Sequence, residues 1–250
     1  MFDKKKKTFI SLKKKIKNNI FNIGFWFQCS NSDLIECFTY NKNIDWAVLD
    51  LEHGSIKKNE ITDIFRSLEL NNVSPLVRLD ISSADEINNY LDLGAHGAII
   101  SNLNNSTELE NIKKKTSFLL REGRGNGFYR ANHYGAKFAE YRKVFMEPII
   151  IPMIENMNAI NDLDNILKKS DSIIIGPYDL SNSLGIPGKF KSNKFKKTID
   201  IILKKAKKFK KCAGIHCVNN EYKVMKDYTK KGFRLIAYSM DTIVGRNFNV

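Results

Sequence analysis

The feature that most constrains the fold is a regular alternation of short apolar segments with longer amphipathic segments. Eight apolar segments are typical of strands, and a segment with helical periodicity or a short helix follows each one. The predicted strands cover residues 22–28, 45–51, 75–79, 97–101, 148–154, 172–176, 212–217 and 233–239. Eight strand–helix units with mostly short connections predict an α/β fold, a (β/α)8 TIM barrel.

A doubly wound open sheet is the alternative architecture. Such a sheet usually carries a glycine-rich turn after its first strand. The first strand here leads instead into Gln28-Cys29-Ser30-Asn31, and the barrel is therefore favoured.

The helices are predicted from their apolar faces and cap residues. They cover residues 32–40, 57–70, 83–93, 106–115, 159–168, 193–210, 221–230 and a short segment from residue 241. Residues 121–145 break the rhythm and are predicted as a long loop plus an extra helix. Residues 1–19 are rich in lysine and are predicted as a short, solvent-exposed lead-in helix, and residues 20–250 as a single barrel domain.

Composition excludes some classes of function. The net charge is +14, but the lysines are spread along the chain rather than interleaved with arginine and aromatic residues. We therefore expect no nucleic-acid partner, and a non-catalytic basic barrel is the least favoured hypothesis. The four cysteines lack paired zinc-site spacing, and no apolar stretch has the length of a signal peptide or membrane span. These features predict a cytoplasmic protein without a membrane partner.

Titratable residues follow the second predicted strand. Asp50, Glu52 and His53 lie at its carboxyl end, which is where barrels carry their active sites. His53 is the residue of the three that exchanges a proton near neutral pH without a large pKa shift. The residues alone leave open a structural alternative, in which Asp50 caps the following helix and His53 lies in a surface loop.

Two more carboxylates follow the fifth and sixth strands. Glu155 and Asp179 end adjacent strands, whose axes lie roughly 4.8 Å apart. Carboxylates this close repel each other unless a cation lies between them, and oxygen ligands alone favour a hard ion such as Mg²⁺ or Mn²⁺. The alternatives are that Asp179 caps the segment from Leu180 and that Glu155 pairs with a lysine or arginine.

Arg78 follows an apolar strand and suits the stabilisation of an enolate formed from a 2-keto acid beside a metal. A salt bridge at the strand end is the alternative role. Gly123, Gly125 and Gly127 form a cluster that either brings backbone N–H groups to a ligand or forms an ordinary flexible loop.

These residues together resemble the HpcH/HpaI aldolase family, the class II, metal-dependent 2-keto-acid aldolases of the phosphoenolpyruvate/pyruvate barrel superfamily. The resemblance runs from about residue 24 to residue 241. Its motifs are Leu49-Asp50-Leu51-Glu52-His53, Val77-Arg78, Leu91-Asp92-Leu93-Gly94, Gly123-Arg124-Gly125, Ile154-Glu155 and Gly176-Pro177-Tyr178-Asp179-Leu180-Ser181.

The resemblance implies a role for each matching position. Glu155 and Asp179 would bind the divalent metal, His53 would transfer protons, and Arg78 would contact the pyruvate end. The backbone at Gly176 and Tyr178 would receive the pyruvate carboxylate. Asp50 would hold His53 in register, and Asp92 would support the site, in this family from a neighbouring subunit of a homo-oligomer.

Four positions depart from the family pattern. Tyr178 replaces a small residue, Met153 a position that is often polar, Ser101-Asn102 a strand end with proline, and His216 an apolar residue. They put the aldehyde specificity in doubt more than the metal and proton-transfer residues.

The predicted function is a metal-dependent carbon–carbon lyase that cleaves or forms a 4-hydroxy-2-keto acid, giving pyruvate and an aldehyde. A citrate-lyase-like or malyl-type enzyme that acts on an acyl thioester is the alternative, and it requires a basic groove of cofactor size.

Overall fold

The computed structural model describes residues 2–40, 43–119, 123–219 and 221–247. Eight parallel strands close into a barrel in chain order. The strands are β1 (Asn22–Phe27), β2 (Trp46–Asp50), β3 (Ser74–Asp80), β4 (Gly97–Ser101), β5 (Ile149–Ile154), β6 (Ser172–Ile175), β7 (Cys212–Cys217) and β8 (Leu235–Met240). Parallel pairing of β1 with both β2 and β8 closes the barrel and confirms the predicted fold class.

The helices surround the barrel. Those of the described residues are α1 (Phe2–Lys17), α2 (Ser32–Thr39), α3 (Ile61–Leu70), α4 (Ile87–Leu93), α5 (Ser106–Thr116), α6 (Phe138–Val144), α7 (Met157–Asn161), α8 (Leu163–Lys169), α9 (Pro177–Ser183), α10 (Asn193–Lys208), α11 (Tyr222–Lys231) and α12 (Asp241–Arg246). None of them is long and apolar enough to cross a membrane, as far as the chain is described.

Three predicted helices differ in detail. The helix predicted from residue 57 begins at Ile61, after a turn. The one predicted over 83–93 begins as a 3-10 helix, Ile81–Glu86, in which the side chain of Asp80 accepts from the N–H of Ser82. The one predicted over 159–168 divides into α7 and α8 at Asp162. The extra helix predicted within residues 121–145 is α6.

The barrel interior is filled by large side chains next to small ones. Trp26, Trp46, Leu76 and Ile99 belong to this inner cluster. Gly24 accommodates the indole of Trp46, because a Cβ on Gly24 would lie 2.2 Å from the ring. The outer faces of the strands pack against the helices in a second cluster that includes most of the buried residues of α3.

The prediction of a solvent-exposed lead-in helix is wrong. One face of α1 is buried through Phe2, Phe9, Leu12 and Ile16, and it packs in the inner cluster at the amino-terminal end of the barrel. All the lysines of α1 except the buried Lys5 lie on its outer face or its edges, and their number obscured an apolar stripe at helical spacing. The helix therefore closes the end of the barrel opposite the carboxyl ends of the strands.

A buried ion network fixes α1 in place. Arg130 donates from Nη1 to Oε1 of Glu69 on α3 at 3.1 Å and from Nη2 to Oε2 at 2.8 Å. Oε1 of Glu69 also lies 3.6 Å from the ammonium of Lys5. Burial lowers the pKa of Lys5 to about 8, although the charge of Glu69 opposes the shift. This network ties α1 to the segment between α5 and α6.

We expect Phe9→Ala to lower the free energy of unfolding by roughly 3–5 kcal/mol, because it leaves a cavity between α1 and the barrel. Phe9 is 1% exposed and packs against Phe145 with 4.3 Å between ring centroids. The control is Ile10→Ala. Because Ile10 is 47% exposed, this substitution should lower the free energy of unfolding by less than about 0.5 kcal/mol. Urea unfolding measures both, and equal losses would show that α1 does not close the barrel.

Candidate active site

The barrel brings the predicted residues of four strands to one end. Asp50 and Arg78 are register partners on β2 and β3. Glu155 directly follows β5, and Asp179 lies in the first turn of α9, after β6. Because β5 and β6 pair at Met153–Ile174 and Ile154–Ile175, their carboxyl ends are adjacent.

Asp50 and Arg78 form a buried ion pair beneath the site. Arg78 donates from Nε to Asp50 Oδ1 at 2.9 Å and from Nη2 to Oδ2 at 2.7 Å. Burial alone would raise the pKa of Asp50, but the hydrogen bonds and charge of Arg78 outweigh burial and lower it to about 2. Asp50 therefore remains ionised, and it does not cap a helix.

Glu52, which the sequence places beside His53, has further partners in the site that the sequence did not reveal. Its Oε2 lies 3.0 Å from Nη1 of Arg78, and it also accepts the hydroxyl of Ser101. Asn102 donates to Oε1 at 3.3 Å. The carboxylate two residues after Asp50 was visible in the sequence, but its partners lie on β3, at the end of β4 and directly after β4, and only the barrel brings them together.

His53 lies at the open end of the site. Its side chain is 63% exposed, and Nε2 lies 3.6 Å from Oε1 of Glu52. Asp50 contacts His53 through the backbone: Oδ1 accepts the N–H of His53 at 3.0 Å and the N–H of Glu52 at 3.2 Å. Asp50 thus fixes the turn that carries His53, and the imidazole itself faces Glu52.

Glu155 is a buried carboxylate whose charge is poorly compensated. Burial, together with the charges of Asp179 and Glu52, raises its pKa to about 7, although the hydrogen bond from the backbone N–H of Asn102 opposes the shift. That N–H lies 2.5 Å from Oε1, and Asn102 adopts a left-handed backbone with φ of 54°. In the described part of the chain, no lysine or arginine lies within 4 Å of Glu155 or Asp179.

Gly176 leaves room for Glu155. A Cβ on Gly176 would lie 2.6 Å from Oε2 of Glu155 and 3.1 Å from Sδ of Met153. Gly176 is also the N-cap of α9, which places Asp179 inside the helix and not at a capping position. Tyr178 is 50% exposed, and its ring meets Phe190 edge-on at 5.0 Å.

His216 and Trp26 lie in the layer below the ion pair. Their rings stack with 4.4 Å between centroids, and the guanidinium of Arg78 lies 5.3 Å from the centroid of the Trp26 ring. Burial lowers the pKa of His216 to about 4, so this imidazole is neutral at pH 7. Trp26 also donates to Oδ2 of Asp50 at 3.2 Å.

The structure does not bring Asp92 into this site within one chain. Asp92 ends α4, at the amino-terminal end of the barrel, where it pairs with Arg124 at 2.5 Å. The segment with Gly125 and Gly127 connects α5 to β5 at that same end. The glycine cluster therefore supplies no backbone N–H groups to the site of its own chain.

The charges of the site fit a divalent cation. The site holds four carboxylates, those of Asp50, Glu52, Glu155 and Asp179, and one guanidinium, that of Arg78. This excess of negative charge favours a bound cation. Among the described residues no group of three histidine, cysteine, aspartate or glutamate side chains has metal-binding geometry. The pair Glu155 and Asp179 nevertheless suits a hard cation such as Mg²⁺, which commonly takes only one or two carboxylates and completes its shell with water and substrate.

Comparison with known families agrees with this geometry. The chain belongs to the HpcH/HpaI aldolase/citrate lyase family, whose profile matches residues 22–247. Both activities in that description make or break a carbon–carbon bond, and the protein is a carbon–carbon lyase of the aldolase type. The family predicted from the motifs is confirmed.

Individual relatives cover nearly the whole chain. A hydroxypyruvate/pyruvate aldolase of Agrobacterium fabrum (strain C58 / ATCC 33970) is 27% identical over 88% of this chain and 83% of its own. A 4-hydroxy-2-oxovalerate aldolase of Novosphingobium aromaticivorans is 24% identical over 93% and 88%. The crystal structure of a family member from Burkholderia cenocepacia J2315 shares the fold, with a TM-score of 0.86 at 21% identity over 94% and 95% of the two chains.

We expect the affinity for Mn²⁺ to fall by roughly tenfold for each pH unit below about 7 and to level off above it, because the cation must displace the proton of Glu155. The same raised pKa means that, without a cation, ionisation of Glu155 lowers stability as pH rises from its unfolded value towards 7. Calorimetric titration from pH 5.5 to 8.5 measures the affinity.

Glu155→Gln should bind Mn²⁺ weakly and without this pH dependence. Glu110→Gln, which changes an exposed carboxylate on α5, is the matched control and should retain the profile of the unmodified protein. A pH dependence that survives in Glu155→Gln would assign the proton to another group.

Proposed function

We propose that the protein is a class II pyruvate aldolase that cleaves or forms a 4-hydroxy-2-keto acid, with pyruvate and an aldehyde as the products of cleavage. The observation that carries the proposal is the placement of Glu155 and Asp179 beside Arg78, at one end of a barrel of an aldolase family. The names of the two aldolase relatives support a small 2-keto acid as substrate.

Glu155 and Asp179 are proposed to hold Mg²⁺ or Mn²⁺. When bound, the cation supplies Lewis acidity to the keto oxygen of the substrate and offsets the negative charge of the carboxylates. The Asn102 N–H keeps one oxygen of Glu155 in place, and the space at Gly176 leaves the other oxygen free to bind.

Arg78 is proposed to stabilise the enolate charge. Nε and Nη2 donate to Asp50, and Nη1 pairs with Glu52 at 3.0 Å; these contacts hold the guanidinium rigid and leave further N–H groups of Nη1 and Nη2 for the substrate oxygen. A donor fixed in advance stabilises developing charge without reorganising during the reaction.

His53 is proposed as the base that removes the proton of the 4-hydroxyl group, directly or through a water molecule. Its exposure at the mouth of the site allows it to meet the part of the substrate that leaves as aldehyde. The carboxylate of Glu52, 3.6 Å from Nε2, is placed to orient the imidazole ring.

The pyruvate carboxylate is proposed to bind at the start of α9, near Gly176 and Tyr178. The family resemblance supports this position, and the N-terminus of a helix favours negative charge. The ring of Tyr178 packs edge-on against Phe190, and its carbonyl oxygen accepts the hydroxyl of Ser181, so the backbone N–H is the group proposed to meet the ligand.

The first test is pyruvate release from a panel of 4-hydroxy-2-keto acids, after chelation and after addition of Mg²⁺ or Mn²⁺. We expect release that depends on the cation, and we expect Asp179→Ala to lose at least roughly 10²-fold in rate while its circular dichroism and melting point stay unchanged. Asp171→Ala, an exposed aspartate before β6, is the control. Full activity of Asp179→Ala without a cation contradicts the assignment.

We also propose a homo-oligomer in which Asp92 of one copy supports the site of another. The position of Asp92, at the end opposite its own site, supports this arrangement, because only a second copy places it near reacting groups. The family resemblance points the same way.

Mixing two inactive variants tests this arrangement. Asp92→Asn and Asp179→Ala, unfolded together and refolded, should regain part of the activity, because some sites then combine intact residues from both chains. The same variants refolded separately are the control. No recovery in mixed oligomers, with size confirmed by light scattering, would show that Asp92 does not act across an interface.

A further inference from the structure

A cavity of about 630 Å³ lies at the amino-terminal end of the barrel, opposite the candidate active site. It opens between the ends of α1, α10 and α11 and the beginnings of β7 and β8. Its cationic lining, which we call the basic cavity, consists of Lys17, Lys204, Lys207, Lys210, Lys211, Lys231 and Arg234.

The positive charges of the basic cavity have little compensation. Among the described residues that line it there is no aspartate or glutamate. Lys211 lies 4.0 Å from Asp171, and Arg234 donates to the carbonyl oxygens of Thr229 and Phe233. The other five lysines form no ion pair with any described residue. Such a concentration of one sign of charge in a recess attracts anions.

Helix ends explain part of this arrangement but not all of it. The C-termini of α1, α10 and α11 lie at the cavity, and each is equivalent to about −0.5 of an elementary charge. Three such ends favour lysines in the last turns. They leave most of the seven positive charges without a counter-charge.

The backbone of Lys210 supports a role for its side chain. Lys210 follows α10 in the left-handed conformation, with φ of 55°, which favours glycine. The equivalent position after α11 holds Gly232, with φ of 114°. The chain thus keeps a lysine at the cavity where glycine is conformationally easier.

The size and lining of the cavity indicate the class of ligand. Its volume matches cavities that bind metabolites. Its lining, as far as the structure describes the chain, has no aromatic side chain on which a nucleic-acid base could stack. Several lysines around one recess match a compact anion with several charged groups.

We propose that the basic cavity binds a compact anion that carries two or more phosphate groups, such as an inorganic oligophosphate or a small phosphorylated metabolite. This site is separate from Glu155 and Asp179, and it does not rest on the proposed aldolase activity. Its occupation stabilises the folded protein, because the ligand binds only where the three helix ends converge.

Calorimetric titration with inorganic tripolyphosphate at about 0.15 M salt tests the proposal, because diffuse surface contacts are largely screened there. We expect saturable binding of one tripolyphosphate per chain. The double variant Lys207→Gln with Lys210→Gly should weaken binding by at least roughly tenfold, since two charge-assisted contacts are lost. Its melting point without ligand should not fall on account of Lys210→Gly, because glycine relieves the backbone.

The matched control is Lys196→Gln with Lys197→Gln, which removes two exposed lysines of the same helix outside the cavity. Its affinity should stay within about twofold of the unmodified protein. Equal weakening by both pairs would assign binding to the overall charge of +14. Absence of saturation, or displacement by single-stranded RNA at lower concentration than tripolyphosphate, would likewise overturn the proposal.

Discussion

The active-site end of this barrel depends on the buried pair of Asp50 and Arg78. Asp50 receives the guanidinium through two oxygens and also accepts N–H groups from Trp26 and from the turn that carries His53. One carboxylate thus fixes the cationic group, the indole below it and the backbone of the proposed base. Loss of one member of a buried pair is costly, because the other is left as an uncompensated charge. These contacts restrict the movement of the Arg78 guanidinium, so its donors are already in position before a substrate binds.

The remaining carboxylates explain why the proposed chemistry needs a cation. Burial and like charges place the pKa of Glu155 at about 7, so the metal-free site is close to accepting a proton. A proton and a divalent cation compete for the same oxygen atoms. The proposed binding of a divalent cation would therefore strengthen relative to protonation as the pH rises through the neutral range.

Much of the fold followed from the sequence because strand and helix periods are local properties. Seven of the eight predicted strands agree with the structure to within a residue or so at each end, and β8 begins two residues later than predicted. The placement of Glu155, Asp179 and Arg78 at one end of the barrel was also predictable, since strand ends meet in any barrel. The partners of Glu52 and the closeness of Gly176 to Glu155 were not, because they depend on distances across strands. The many lysines of α1 obscured its buried face in the sequence. The position of Asp92 could be predicted only with the direction in which α4 runs along the barrel.

The way in which α1 closes the barrel has a consequence for biosynthesis. Phe9 packs against Phe145, and Lys13 donates to the carbonyl oxygen of Glu147, 134 residues later in the chain. During translation α1 is synthesised well before Phe145 and Glu147. The apolar stripe of α1 therefore remains incompletely buried until half of the barrel has been made, and the positive charge of its lysines opposes association between nascent chains during that time.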